Sequence, residues 1–249
     1  MLKLIIGGAE SGKSAYAQRL IETDHQSFQK SFQKSFQNGF RKKAVGSNEL
    51  RGELIYLATM DLPKEPGALD RESLGRIERH VKMREGKGYR LIERPKDPGE
   101  TVHMLSPDSF VLIEDITNLC ANEMFLGDPD DMLQGTGLAG KTDDAKDTEN
   151  RRSDTAAVEG KDAGSDNFYI DRLSEKIVSG IDMICKQCRE AVAVTGELCS
   201  DGILYEKETV LYLKLLSRVN YELARRADYV AEIVCGLANV IKDETDGTC

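Results

Sequence analysis

The sequence predicts an α/β fold, a doubly wound and mostly parallel sheet with helices on both faces. Short apolar runs without strict alternation read as strands covered on both sides. They alternate with segments whose apolar residues recur at helical spacing. The first run, Leu2–Ile6, leads directly into Gly7-Gly8-Ala9-Glu10-Ser11-Gly12-Lys13-Ser14, a glycine, four residues and then Gly-Lys-Ser. That is the phosphate-loop pattern, set between a strand and a helix, and it makes the predicted fold P-loop NTPase-like.

In chain order, strands are expected at Leu2–Ile6, Leu54–Ala58, Phe110–Ile113, Ala191–Val194 and Tyr229–Val234, with a short last one at Asn239–Ile241. Helices are expected at Gly12–Glu22, Asp70–Arg84, Asn118–Phe125, Phe168–Glu190 and Lys207–Arg226. At 249 residues the chain suits a single domain over residues 1–249. Two stretches interrupt the alternation. A low-complexity insertion, about 26–50, carries Ser27-Phe28-Gln29-Lys30 and its repeats, which space Phe28, Phe32, Phe36 and Phe40 by four. Such a stripe could dock an amphipathic helix on a membrane or partner, but a repeat expansion that only lengthens a helix or loop is the favoured reading. The second insertion, about 127–167, is acidic and nearly free of large apolar residues. It buries too little surface to offset its ordering entropy and is expected to be disordered.

Net charge is −9, of which residues 128–166 supply −6 from eleven acids and five bases. This balance argues against a general nucleic-acid binder. No stretch approaches the roughly 20 apolar residues that cross a bilayer, and the apolar N-terminus lacks a signal peptide's basic start and cleavage region. A cytoplasmic protein without a membrane span is expected. The cysteines at 120, 185, 188, 199, 235 and 249 are expected to be free thiols in a reducing compartment. Cys185 and Cys188 form a C-x-x-C pair with no second close Cys or His pair, so a zinc or redox role is disfavoured.

A loop of this kind surrounds phosphate oxygens with backbone N–H groups at a helix N-terminus. Lys13 would reach the outer phosphates and Ser14 a magnesium ion, with an acid on a neighbouring strand completing the metal site. Val111-Leu112-Ile113-Glu114-Asp115 ends in two acids, and Glu114 is the better candidate. Of the histidines His25, His80 and His103, His80 stands out in Arg76-Ile77-Glu78-Arg79-His80-Val81-Lys82-Met83-Arg84. Four cations around one imidazole would keep it neutral at pH 7 and attract phosphate, and a neutral imidazole can attack phosphorus. Taken alone, an exposed histidine on a basic helix face is the more ordinary reading.

The order of these motifs resembles the adenosylcobinamide kinase/adenosylcobinamide-phosphate guanylyltransferase family of cobalamin biosynthesis. The resemblance runs from Ile5–Ser14 through Tyr56-Leu57-Ala58-Thr59 to Arg76-Ile77 with His80 and Arg84. It continues through Glu93, Ile113-Glu114 with Ile116-Thr117 and Asn122, Val194-Thr195 with Glu197, Arg218-Val219-Asn220 and Ala227-Asp228. It is denser in the nucleotide half. Thr195–Tyr205 and Leu211–Ser217 depart from the family's patterns, and Tyr89 stands where the family has tryptophan.

The resemblance implies that His80 is the guanylylated residue, with Lys13 as its catalytic companion. Gly7–Ser14, Ala58, Thr59, Met60, Val81, Lys82, Met83, Arg84, Glu93 and Glu114 would bind nucleotide, and Ser14 and Glu114 the metal. It further implies GTP, ATP and Mg2+ as cosubstrates and cofactor, and adenosylcobinamide and its phosphate as the corrinoid substrates. A homotrimer is also implied. Competing readings are a diverged P-loop kinase or nucleotidyltransferase with another substrate, and a nucleotide-binding regulatory module without catalysis.

Overall fold

The computed structural model describes residues 1–37, 52–61, 71–126, 162–198 and 205–245. Seven strands form one sheet: β1 (Leu2–Gly7), β2 (Leu54–Ala58), β3 (Arg90–Glu93), β4 (Phe110–Glu114), β5 (Glu190–Gly196), β6 (Tyr229–Val234) and β7 (Leu237–Asp243). Their order across the sheet is β3-β2-β4-β5-β1-β6-β7. All neighbours pair in parallel except β6 and β7, which form an antiparallel hairpin at one edge. The described helices are α1 (Lys13–Gln37), α2 (Arg71–Arg84), α3 (Ile116–Phe125), α4 (Asp162–Gln187) and α5 (Lys207–Arg226), with a 3₁₀ helix at Pro98–Met104.

The lack of alternation in the strands has a direct cause. Successive residues of the central strands point into two separate cores. On one face Leu4, Leu57, Val111, Ile113 and Ala193 pack with residues of α3, α4 and α5, among them Leu119, Ile177, Ile181 and Leu215. On the other Ile5, Tyr56, Phe110, Leu112 and Val194 pack with Ala17 and Ile21 of α1. One buried polar group breaks the apolar run of β1. Lys3 reaches Asp24 of α1 at 2.6 Å and Glu190 of β5 at 3.2 Å. Burial, and Asp24 competing for the same ammonium, push the Glu190 carboxyl up to about 7.

The structure revises several expected boundaries. Helix α1 runs to Gln37 rather than ending at Glu22, so the first copies of the phenylalanine repeat are its continuation. Phe28 is anchored to the sheet: its ring centre lies 5.6 Å from that of Phe110, and the Arg189 guanidinium stacks over it at 4.4 Å. His25, one turn earlier, meets Phe110 edge-on and bonds the Gly52 carbonyl. Phe40 and the rest of that insertion, 38–50, lie outside the described residues, as do 127–161 of the acidic one. Helix α4 begins at Asp162, before the expected Phe168, and ends at Gln187, where β5 takes over at Glu190. Strand β3, which the sequence reading omitted, is only four residues long and reads Arg-Leu-Ile-Glu.

Because Phe28 fastens the lengthened helix to the sheet while Phe32 only stacks on Phe28, with centroids 6.3 Å apart, the two should differ in worth. Phe28→Ala should cost about 2 kcal/mol of stability and Phe32→Ala less than about 1 kcal/mol. Urea unfolding of both variants checks this, and equal losses would contradict it.

Candidate functional site

Parallel pairing brings the C-terminal ends of β1, β2, β3, β4 and β5 to one edge, where the candidate residues gather. Strand β1 ends at Gly7, whose environment admits no side chain: a Cβ there would lie 2.6 Å from Ser11 Oγ and 2.8 Å from the Ile233 carbonyl oxygen. The loop then turns through Glu10 and Gly12, at φ 55° and 90°. The second of these suits glycine, which enters the left-handed region without a Cβ penalty. The Gly236 amide of the β6–β7 turn donates to the Ser11 carbonyl at 2.9 Å and props the loop from outside. Within it Lys13 Nζ donates to the Gly8 carbonyl at 3.2 Å. Ser11 Oγ is buried with no hydrogen-bond partner. A buried hydroxyl without a partner in this loop fits a phosphate-binding role, since such groups are otherwise paired.

Ser14, in the first turn of α1, donates to Glu114 Oε1 at 2.5 Å. The expected acid is therefore in reach, but not on the adjacent strand: β5 lies between β1 and β4. Burial, and then the neighbouring Asp115, push the Glu114 carboxyl up to about 8. Asp115 itself caps α3, accepting from the Asn118 amide at 2.7 Å. A serine hydroxyl beside a carboxylate is a hard-oxygen donor pair, the chemistry that suits a magnesium ion.

His80 does not sit on the outer face of α2. Its side chain is 24% exposed and turns toward the sheet edge. Nδ1 lies 2.7 Å from Tyr56 Oη and 4.0 Å from Glu114 Oε1. The surrounding cations serve other partners: Arg79 pairs with Glu10 of the loop at 3.2 Å, and Arg84 Nε donates to the His80 carbonyl at 3.0 Å while its guanidinium stacks over the Tyr56 ring at 4.1 Å. The end of α2 is tied to α1 by Gln18, which donates to the Met83 carbonyl at 2.7 Å. Burial, followed by the Glu114 charge, holds the Tyr56 phenol well above its usual range, so it keeps its proton.

Two cavities meet at His80. A cleft of about 360 Å³ runs along the glycine loop and is lined by Ala9–Ser14, Arg79, His80, Met83, Glu114 and Asp115, with Thr117, Gly196 and Leu198 on its far wall. The second, about 160 Å³, shares His80, Glu114 and Asp115 with the first and extends past Tyr56, Ala58, Met60, Val81, Arg84, Asn118 and Glu93 between the apolar side chains of Ile77 and Leu91. Of the residues singled out in the sequence, Lys82 and Thr59 line neither. Lys82 is exposed. Thr59 is fully buried, its hydroxyl donating to the Asp115 carbonyl at 2.6 Å and its amide to the Glu114 carbonyl at 3.0 Å, so it holds the strand ends together. Gly7 and Gly8, which open the loop, also line neither cavity.

The sequence reading gave Tyr56 and Thr117 no role beyond carrying the resemblance, counted Arg79 only among the cations around His80, and ranked Asp115 behind Glu114. Thr117 Oγ1 accepts from the Gly196 amide at 2.8 Å, and Asn220 bonds Thr195 Oγ1 and the Gly196 carbonyl, fixing the end of β5 at the cleft. Elsewhere, His25 lies at the opposite end of the sheet and His103 is exposed in the 3₁₀ helix. Burial pushes the Cys185 and Cys188 thiols up to about 12 and about 11, away from the thiolate that redox or metal chemistry needs.

The cobinamide kinase/cobinamide phosphate guanyltransferase family matches residues 40–241. The chain belongs to this family. The glycine loop lies outside that match and stands on its own residues. Among relatives, the bifunctional adenosylcobalamin biosynthesis protein CobU of Escherichia coli (strain K12) is 25% identical over 247 residues, covering 97% of this chain and all of the relative. The protein of the same name from Salmonella typhimurium (strain LT2) is 26% identical over 245 residues, again 97% of this chain and all of the relative. Among the described residues no helix is long and apolar enough to cross a membrane.

The raised Glu114 carboxyl gives a signed pH dependence. Its folded value of about 8 lies above the ordinary 4.5, so between these values the folded state binds more protons and stability falls as pH rises. Without divalent cations, Glu114→Gln should abolish this contribution. The wild type should lose on the order of a few kcal/mol relative to the variant between pH 5 and pH 9, read from urea midpoints. A constant difference across that range would contradict the assignment.

Proposed function

We propose that this chain is a bifunctional adenosylcobinamide kinase and adenosylcobinamide-phosphate guanylyltransferase that passes GMP from GTP through His80. The observation that carries the reading is the position of His80 on the wall shared by the two cavities. A triphosphate held along the glycine loop and continuing into the smaller pocket must bring its inner phosphate past that imidazole. The smaller pocket suits a nucleoside: Ile77 and Leu91 give it an apolar lining, and Glu93 offers a carboxylate to the N–H groups of a guanine edge.

In the kinase reaction a nucleoside triphosphate, ATP or GTP, gives its terminal phosphoryl group to the aminopropanol hydroxyl of the corrinoid. In the second, the Nε2 lone pair of His80 attacks the α-phosphorus of GTP, an N–P bond forms, and the bond to the β-phosphate breaks with its electrons leaving on pyrophosphate. An oxygen of the corrinoid phosphate then attacks the same phosphorus and frees the histidine, giving adenosylcobinamide-GDP. Splitting the transfer gives two in-line displacements, each with a good nucleophile. Lys13, released from the Gly8 carbonyl, and the loop amides offset the charge on the phosphates. Magnesium held by Ser14 and Glu114 would neutralise phosphate charge, taking the place of the proton that Glu114 holds without it. Val81, Met83 and Arg84 form the nucleotide-facing side of α2. A cytoplasmic homotrimer completes the proposal, and the exposed Leu237 and Ile241 of edge strand β7 offer apolar surface for such an assembly.

The test is incubation with magnesium and GTP labelled on the α-phosphate, followed by a denaturing gel. Wild-type protein should carry label that is lost in acid and survives base, His80→Ala should carry none, and Lys13→Ala should label about 100-fold more slowly. Unlabelled wild type that still binds GTP would overturn the guanylyl-transfer reading.

A further inference from the structure

We infer that Asn122 is a positioning residue for guanine selectivity: its carboxamide ties the end of β2 to the segment after β3 and so holds Glu93 in place across the smaller pocket from Ala58 and Met60. It rests on the smaller pocket being the nucleoside site, and it adds what keeps that pocket's two sides in register. Pairing between β2 and β3 reaches Ala58 opposite Glu93, and the Arg94 amide still donates to the Ala58 carbonyl at 2.8 Å. One residue further the two chains part. The Thr59 amide turns to the Glu114 carbonyl at 3.0 Å, and Pro95 has no N–H to offer.

Asn122 takes over where the ladder stops. Its Nδ2 donates to the Thr59 carbonyl at 2.7 Å and to the Pro95 carbonyl at 3.1 Å. Both partners are carbonyl oxygens, which only accept, so both bonds come from the NH2 group and the orientation of the carboxamide is set. One bond lands between Ala58 and Met60 and the other two residues past Glu93, and these three residues line the same pocket. Asn118, one turn earlier on α3, lines it too. The helix therefore contributes a wall through Asn118 and a clamp through Asn122.

A second tie from the same helix secures the segment that follows. Glu123, with a side chain 1% exposed, accepts from the Asp97 amide at 2.6 Å and from Lys176 at 2.8 Å, and Lys176 also reaches Asp97 Oδ1 at 2.7 Å. Asp97 is a non-glycine residue at φ 50°, a conformation that lasts only where the surroundings enforce it. Glu93 itself is exposed. A carboxylate that must meet two N–H groups of a guanine edge needs its backbone held from outside the pocket, and Asn122 supplies that hold.

The experiment measures by calorimetry, with magnesium, the affinities of α,β-methylene GTP and of the matching inosine nucleotide, which lacks guanine's 2-amino group. Wild type should prefer the guanine nucleotide by about tenfold. Asn122→Asp, which turns a carboxylate toward two carbonyls, and Asn122→Ala should each lower that preference to about twofold and keep the affinity for the inosine nucleotide within about threefold. The preference should fall equally in Glu93→Gln, and adding Asn122→Asp to that variant should lower it no further. Urea transitions show which variants fold, and either Asn122 substitution suffices. An undiminished guanine preference in the Asn122 variants, or equal weakening of both nucleotides, would overturn the inference, and loss of the preference in Glu93→Gln would then leave the guanine pocket standing. A wild type without any preference would sink the guanine pocket itself, and the inference with it.

Discussion

A parallel sheet covered on both faces sends every strand toward the same edge, and the register of its pairs then decides which residues meet there. In this chain Gly7 lies opposite Gly196, and Ala58 lies opposite both Glu93 and Glu114. The glycine loop, the acid that faces it and the carboxylate of the smaller pocket are thereby set along one line by backbone pairing alone. Neighbouring strands are about 4.8 Å apart, so β1 and β4, with β5 between them, stand about 10 Å apart. The Ser14–Glu114 hydrogen bond closes that gap by reaching from the first turn of α1 over the end of β5.

That architecture explains the unusual electrostatics of the edge. Glu114 is buried at a strand end, next to Asp115, with a serine hydroxyl as its hydrogen-bond donor. Its carboxyl holds a proton more firmly than a solvated one, which a divalent cation would displace. The phosphate loop is likewise held in reserve, with Lys13 folded back on the Gly8 carbonyl and Ser11 Oγ unspent. Helix α2 then supplies His80, which borders both cavities together with Glu114 and Asp115. Gln18 and Glu22 of α1 anchor its C-terminal end and the turn after it, through Met83 and Lys87, so the helix carrying His80 is braced against the helix that carries Lys13 and Ser14.

What the sequence made legible was local. Gly7–Ser14 announced a phosphate loop because the motif needs only contiguous residues, and Glu114 could be found because an apolar run ended in acid. The two-sided burial of the strands was readable from their missing alternation. Strand order was not, because pairing partners are chosen over long separations, and so the intervening β5 went unforeseen. That the Ser-Phe-Gln-Lys repeat lengthens a helix or a loop was readable, but not which of the two, because nothing in the sequence shows that Phe28 lands on Phe110. Strand β3 escaped because Arg90–Glu93 is too short to show a period. His80 was found by its company of cations, but the neighbours of its ring, Tyr56 and Glu114, come from other strands and could not be inferred from its own helix.

The central claim is that one nucleotide occupies both cavities and passes its α-phosphorus across His80. Its most direct test is a crystal structure of the protein with magnesium and a GTP analogue whose α–β bridge cannot be cleaved. The account predicts the outer phosphates in the Gly7–Ser14 loop, the base between Ile77 and Leu91 beside Glu93, and the α-phosphorus about 3–3.5 Å from His80 Nε2. A base lying outside the smaller pocket, with the α-phosphate turned away from the imidazole, would contradict it.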